Sequence, residues 1–179
     1  MANHKDIVPF IKKWEGGYVN DPLDKGGETM QGITYDVWCS VFGPNEHSRF
    51  MTMSVEDWGH IYKKLFWDNI KGDMILSQRI ANTLADWAWG SGPFYPKKIT
   101  QTICNNLGAK LKADGIFGNG TLSTLNTIDE DKLYNAIVAY RYQFLLNIVK
   151  KDPTQARFIK GWNNRMDSLV KHNLKTQIS

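Results

Sequence analysis

One segment near the N-terminus concentrates the residue types that can carry acid–base chemistry. Residues 15–34 read EGGYVNDPLDKGGETMQGIT and contain four acidic residues, two Gly-Gly pairs and a proline. Glu15 follows Trp14 at the end of an apolar helical stretch, and burial beside an indole favours the protonated form of a carboxyl group. Asp21 and Asp24 lie in polar turns, which favour the ionised form. Such a pair fits the general acid and the ionised partner needed to cleave a glycosidic bond.

The same acidic residues have other uses that the sequence leaves open. Asp21 and Asp24 are each suited to a structural turn, and either could be the partner of Glu15. A calcium loop needs alternating oxygen ligands closed by a bidentate carboxylate, and the spacing of Asp21, Asp24 and Glu28, interrupted by Pro22, does not match one. We therefore expect no metal and no cofactor.

Composition and charge exclude several classes of protein. The chain has 179 residues, 42% of them hydrophobic, which fits one domain or one domain with a small lobe. The net charge is +4 and no basic run exceeds two residues, so we expect no nucleic-acid partner. No signal-peptide core and no apolar run of about 20 residues is visible, which predicts synthesis in the cytoplasm and no stable membrane insertion. Cys39 and Cys104, in apolar helical contexts, are predicted to be buried free thiols.

The elements that position the acidic segment can be read from periodicity. Apolar residues at helical spacing predict a first helix over residues 6–15, ended by Gly16 as a C′ glycine. Residues 17–33 are predicted to form a small β-hairpin or irregular loop, and Thr34 to cap the next helix. Residues 45–53 are expected to be a loop.

Gly90–Pro93 marks a boundary between an N-terminal half, 1–90, and a helical C-terminal half, 91–179, packed into one unit. The expected fold class is mainly α, with further helices near 55–66, 77–89, 97–106, 121–126, 129–148 and 158–169.

The acidic segment closely resembles a family signature. Residues 15–22, Asp24, residues 26–29 and residues 32–34 are similar to the motif of the glycoside hydrolase family 108 N-acetylmuramidases. These are lysozyme-like enzymes of bacteria, phages and prophages, some of them described as secretion activators. Later segments resemble the same family and its predicted peptidoglycan-binding C-terminal half: Ile80 to Gly92 with Asp86, Asp114 to Gly118, and the Gly-Trp-x-x-Arg pattern of residues 161–165.

The resemblance implies a lysozyme-like helical fold and a reaction. The expected reaction is hydrolysis of the β-1,4 bond between N-acetylmuramic acid and N-acetylglucosamine, with Glu15 as the catalytic acid. A further similarity to the Glu/Asp/Thr triad of phage lysozymes adds Asp24 and Thr29 to the catalytic set. The chain departs from the family pattern at Trp87-Ala88-Trp89-Gly90, where a small polar residue is expected beside the glycine. Residues expected to contact substrate are Tyr18, Asn20, Asp21, Gln31 and Trp89.

The expected partner is the glycan strand of peptidoglycan, reached at the cell wall after release, with the protein acting as a monomer of endolysin or prophage type. The main alternative is a module that binds cell wall on the same scaffold without cutting it, and a third is a secretion-apparatus component that opens the wall locally. Retention of Glu15 favours an enzyme. The sequence leaves open whether the reaction retains or inverts the anomeric configuration. A separation of about 5 Å between the two carboxyl groups corresponds to retention, and one of about 6.5–9.5 Å to inversion.

Overall fold

A computed structural model describes residues 1–20 and 27–176, and helices dominate them, which confirms the expected mainly α, lysozyme-like class. A π-helical turn covers Lys63–Trp67, and 3-10 turns cover Gly72–Met74 and Pro153–Phe158. The α-helices are α1 His4–Lys13, α2 Tyr35–Phe42, α3 His47–Met51, α4 Val55–Tyr62, α5 Gln78–Ser91, α6 Phe94–Asn106, α7 Asn119–Thr127, α8 Glu130–Lys151 and α9 Ile159–Thr176.

A small antiparallel sheet follows α1, in the order β1 Tyr18–Val19, β2 Thr29–Met30 and β3 Ile33–Thr34. Tyr18 pairs with Met30 across β1 and β2, and Met30 pairs with Ile33 across β2 and β3. The β2–β3 hairpin is therefore closed by only two residues, Gln31 and Gly32. Both have positive φ, +50° and +79°, as the tightest hairpin turns require.

Helix α5 is the centre of the protein. Its residues 79–88 are all buried, so it is enclosed on every side rather than along one stripe. It packs against α1 from the N-terminal half and against α6, α8 and α9 from the C-terminal half. Polar residues on such a helix need internal partners, and Asn82, for example, donates to Asp6 at 2.8 Å and to Asn173 at 3.0 Å.

Two local predictions were wrong. The first helix ends at Lys13 and not at Gly16, since the N–H of Trp14 donates to the carbonyl oxygen of Ile11 at 2.9 Å and the N–H of Glu15 to that of Lys12 at 3.2 Å. Gly16 does not have a positive φ. In the described part of residues 15–34, the glycines with a positive φ are Gly27 and Gly32 of the β2–β3 turn. The expected loop 45–53 contains α3, whose Phe50 is fully buried and contacts the rings of Trp38 and Tyr35. Burial of that one side chain stabilises a helix too short to be evident from periodicity.

The remaining sequence expectations concern thiols and membranes. Cys104 is buried and Cys39 half-buried, and both are free thiols. Burial raises the pKa of Cys104 to about 11.

In the part of the chain that the structure describes, no helix combines the length and apolarity needed to cross a bilayer.

A close contact beneath the π-helical turn gives a test of the fold. A Cβ added to Gly72 would lie 2.6 Å from Nε1 of Trp67, which is fully buried and donates to Oδ1 of Asp73 at 2.7 Å. We expect Gly72→Ala to lower the free energy of unfolding by about 1–3 kcal/mol, because the indole must move within a filled core. Urea denaturation measures this change.

The matched control is Gly59→Ala. Gly59 lies inside α4, and a Cβ there would meet nothing within 4 Å. Alanine should therefore be neutral or stabilise by up to about 1 kcal/mol through helix propensity. Equal destabilisation by both substitutions would contradict the role given to the Trp67 contact.

Candidate active site

Glu15 lies immediately after the residue that caps the C-terminus of α1. Its side chain is 15% exposed, so the carboxyl group is largely enclosed but still reaches solvent. The indole N–H of Trp89, at the end of α5, donates to Oε1 at 2.7 Å. Nη1 of Arg165, on α9, donates to the same oxygen at 3.3 Å. One oxygen is thus fixed by two donors from distant parts of the sequence.

The β2–β3 turn closes over the other side of this carboxyl group. A Cβ on Gly32 would lie 2.9 Å from Cδ of Glu15 and 2.8 Å from Cζ2 of Trp89, and the atom it would meet first is Oε2 of Glu15. Gly32 also has a φ of +79°, where L side chains are strained. Glycine is required here for both reasons, and its absence of a side chain lets the hairpin approach Glu15.

Behind Glu15 lies a network of four charged residues, Glu15, Asp86, Arg141 and Arg165, which we call the charged network. Asp86 is 1% exposed. Its Oδ1 accepts from Nη2 and Nε of Arg165 at 2.9 and 3.1 Å, and its Oδ2 accepts from Nη2 of Arg141 at 2.9 Å. A buried carboxylate is costly unless it is paired and hydrogen-bonded, and Asp86 meets both conditions.

The two arginines have different roles in the network. Burial lowers the pKa of Arg141, although Asp86 opposes the effect, and a further N–H of Arg141 donates to the carbonyl oxygen of Thr83 at 3.2 Å. Burial acts in the same direction on Arg165, but the carboxylates of Asp86 and Glu15 outweigh it and raise the pKa of Arg165. Arg165 therefore remains a cation that joins a buried carboxylate to a partly exposed one.

An aromatic cluster fixes the position of Trp89, the other hydrogen-bond donor to Glu15. The ring of Trp89 contacts those of Phe66 at 4.9 Å, Trp58 at 5.2 Å and Tyr62 at 5.9 Å between centroids. Nε1 of Trp58 donates to the carbonyl oxygen of Gln31 at 3.0 Å, which ties the cluster to the β2–β3 turn. Trp89 was expected at the site, and it reaches Glu15 directly.

A second polar cluster lies on the outer part of the sheet. The hydroxyl of Tyr18 donates to Oε1 of Glu28 at 2.7 Å, and Nε2 of His47 lies 2.9 Å from Oε2. These hydrogen bonds from Tyr18 and His47 lower the pKa of Glu28. Glu28 is thus an ionised carboxylate with both oxygens engaged. Tyr18, expected to contact substrate, has its hydroxyl committed to Glu28 while its ring remains exposed.

The other expected site residues are distributed around the sheet. Asn20 is exposed at the end of β1. The hydroxyl of Thr29 donates to the carbonyl oxygen of Gly27 at 3.2 Å, so its hydrogen is engaged within the hairpin. The amide oxygen of Gln31 is buried and has no hydrogen-bond partner among the residues described. Asp21 and Asp24 lie outside the described residues.

Sequence reasoning did not assign functional roles to Asp86, Arg141 and Arg165. Asp86 is 71 positions from Glu15 in the numbering, and Arg165 is 150. The only signal was that Asp86 and the Gly-Trp-x-x-Arg pattern both belonged to segments resembling the family. Within residues 1–20 and 27–176, no group of three or more His, Cys, Asp or Glu side chains is arranged to hold a metal ion.

Two family models match successive segments of the chain. Residues 8–92 match the family model described as Glycosyl hydrolase 108, and residues 95–167 match the one described as Predicted Peptidoglycan domain. No functionally curated protein matches the chain. The solved structure of SagA from Brucella abortus is similar, with a TM-score of 0.75 and 26% sequence identity over 96% of this chain and 93% of that chain. Residues 8–92 therefore form a glycosyl hydrolase family 108 domain, and residues 95–167 form a predicted peptidoglycan domain.

Proposed function

We propose that this protein hydrolyses the β-1,4 bond between N-acetylmuramic acid and N-acetylglucosamine in peptidoglycan, with Glu15 as the general acid. The observation that carries the proposal is the setting of the Glu15 carboxyl group. It is largely enclosed, held at Oε1 by Trp89 and Arg165, and faces a backbone without a side chain at Gly32. The carboxyl group still reaches solvent, with 15% of the side chain exposed, so it can meet a ligand, which a purely structural carboxylate need not do.

The proposed step is proton transfer from Glu15 to the oxygen of the scissile bond as the bond to the anomeric carbon breaks. The proton leaves a carboxylate behind, and the guanidinium of Arg165 and the indole N–H of Trp89 stabilise that charge. Because both donors are already in place, no reorganisation is needed when the charge develops. The charged network is electrically neutral when Glu15 is ionised, with two carboxylates and two guanidinium groups.

The second catalytic group is proposed to be Asp24. General acid catalysis of glycoside hydrolysis ordinarily uses a second carboxylate, either as base or as nucleophile. Asp86 cannot serve, since both of its oxygens are bonded to arginines in the core, and the oxygens of Glu28 are engaged by Tyr18 and His47. Asp24 and its rival Asp21 are the remaining acidic residues of the segment.

Thr29 is proposed to help hold the attacking water. The protein is proposed to act as a monomer at the cell wall after release from the cytoplasm.

The first prediction concerns Glu15→Gln. The amide keeps the shape and the oxygen that accepts from Trp89, but it cannot deliver a proton. We expect turnover on purified peptidoglycan to fall by roughly two to four orders of magnitude, the usual contribution of a general acid. Turbidity clearing, with mass analysis for reducing muramic-acid ends, measures it.

The control is Glu56→Gln, at an exposed glutamate of α4, which should clear normally. Clearing by Glu15→Gln at the wild-type rate would exclude the proposed acid, and absence of clearing by wild type with continued wall binding would favour the non-catalytic module.

The second prediction separates the two candidate partners of Glu15. We expect Asp24→Asn to lower turnover by at least about 10²-fold while leaving KM nearly unchanged, as loss of a group acting in the transition state does. Asp21→Asn should retain most of the turnover. The reverse result would transfer the role of second carboxylate to Asp21.

The third prediction tests the approach of the hairpin to Glu15. Gly32→Ala places a methyl group against Glu15 and Trp89, and we expect turnover to fall by more than about tenfold, since small misplacements of catalytic groups have large effects. Gly27→Ala is the control, because Gly27 also has a positive φ, +65°, yet a Cβ there would meet nothing within 4 Å. Both variants carry backbone strain and only one displaces Glu15. Equal losses of turnover in the two would show that strain alone is responsible.

A further inference from the structure

A recess with three lysines lies where the two halves of the chain meet. Its volume is about 380 Å³, within the roughly 300–1,000 Å³ typical of ligand sites. Lys64, on the π-helical turn, and Lys71 line it from the first half, and Lys97, on α6, lines it from the second. We call this recess the lysine pocket. Its lining includes neither Glu15 nor the residues that bond Glu15, so it is distinct from the candidate active site.

The positive charge of the lysine pocket is not balanced by the protein. Among the lysines of the described residues, only Lys63 and Lys112 lie within 4 Å of a carboxylate oxygen. The acidic residue in the lining, Asp68, already accepts from Lys63 through Oδ1. The three lysines of the pocket therefore keep their charges available for an anion from outside the described part of the chain.

Lys97 is the most enclosed of the three lysines. It is half-buried, and its Nζ donates to Oδ1 of Asn69, a neutral partner, at 2.8 Å. Burial lowers the pKa of Lys97, and the nearby ammonium group of Lys71 lowers it further. A carboxylate placed between the two ammonium groups would offset both effects, because it pairs with each cation. The arrangement of Lys71 and Lys97 thus favours a bound anion.

An exposed apolar side chain lies beside these charges on a fixed loop. Ile116 lines the pocket and is 66% exposed. Its loop is held by the buried side chain of Gln101, whose Oε1 accepts from the N–H of Gly115 at 2.8 Å. Nε2 of Gln101 donates to the carbonyl oxygen of Ile116 at 2.9 Å, and the ring of Phe117 is buried beneath the loop. Ile116 can therefore contact a ligand without the entropic cost of ordering its loop.

The chemistry of the lysine pocket selects one component of the cell wall. Its ammonium groups require carboxylates or phosphates, and Ile116 favours a small apolar group close to them. The peptide stems of peptidoglycan combine free carboxylates with alanine methyl groups, whereas the acetamido groups of its amino sugars are uncharged. A recess also suits a discrete side group better than the flat surface of a bilayer.

We propose that the lysine pocket binds an acidic peptide stem of peptidoglycan, with carboxylates at Lys71 and Lys97 and an alanine methyl group against Ile116. The proposal rests on the proposed function only for its partner, peptidoglycan, and it involves no bond cleavage. Lys97 and Ile116 lie within the segment that matches the predicted peptidoglycan domain. The pocket would give that domain a contact to the peptide, separate from the glycan contact at Glu15.

The test is calorimetry of the full chain with a free stem tetrapeptide, L-Ala-γ-D-Glu-meso-diaminopimelyl-D-Ala. We expect Lys97→Gln to weaken the affinity about tenfold, the scale of one hydrogen bond to a charged group. Lys71→Asn should weaken it severalfold, because residue 71 is more exposed. Asparagine tolerates the left-handed backbone at this position, where φ is +56°, so Lys71→Asn remains informative if Lys97→Gln does not fold.

Two controls separate the pocket from general charge effects. Lys132→Gln makes the same change at an exposed lysine of α8 outside the pocket and should bind normally. The same tetrapeptide with its carboxylates converted to carboxamides should bind at least about tenfold more weakly to the wild type. Because the tetrapeptide contains no glycosidic bond, Glu15→Gln should bind it as tightly as the wild type does.

Unchanged affinity in both Lys97→Gln and Lys71→Asn would overturn the proposal, as would equal affinity for the tetrapeptide and its carboxamide form. Lysine-dependent binding to phosphatidylglycerol vesicles, without binding of the tetrapeptide, would assign the surface to a membrane and also overturn it. A wild type that clears peptidoglycan but does not bind the tetrapeptide would reject the pocket and keep the hydrolase. Lysine-dependent tetrapeptide binding by a protein that never clears would support the pocket and reject the hydrolase.

Discussion

The structure depends on the neutralisation of one buried carboxylate. Asp86 lies in the middle of α5, the helix enclosed on all sides, and its charge is tolerable only because Arg141 and Arg165 both bond it. Those arginines come from α8 and α9, so the requirement fixes how the C-terminal helices pack on the N-terminal half. Arg165 then has donors left over, and one of them reaches Glu15.

This arrangement makes the candidate site composite. The segment matching the hydrolase family carries Glu15, Asp86 and Trp89, while Arg141 and Arg165 lie in the segment matching the peptidoglycan domain. The division of the chain into two family matches thus does not coincide with a boundary of the candidate site. Removal of the second half would leave Asp86 buried without its partners and Glu15 without its cation.

The hairpin contributes to the site through its backbone. The turn at Gln31 and Gly32 brings the chain against Glu15, and the indole of Trp58 holds the turn at the carbonyl oxygen of Gln31. Two-residue strands supply little pairing energy of their own, so contact with the aromatic cluster around Trp89 positions the sheet. The glycines of the signature therefore differ in role: Gly32 is sterically required, whereas a Cβ at Gly16 or Gly17 would meet nothing within 4 Å.

The sequence by itself determined the fold class, the helix that ends beside Glu15 and the small sheet after it, because periodicity, caps and turn residues are local signals. It also determined that Glu15 is the candidate acid, through a motif contained in twenty consecutive residues. Only the tertiary structure decided that Arg165 and Trp89 hold that carboxyl group, since their distances in sequence carry no local signal. It likewise ended the first helix at Lys13 and not at Gly16, and placed a positive φ at Gly32. Both results follow from packing around α5, where the buried charge of Asp86 and the aromatic cluster around Trp89 fix contacts that no local sequence pattern specifies.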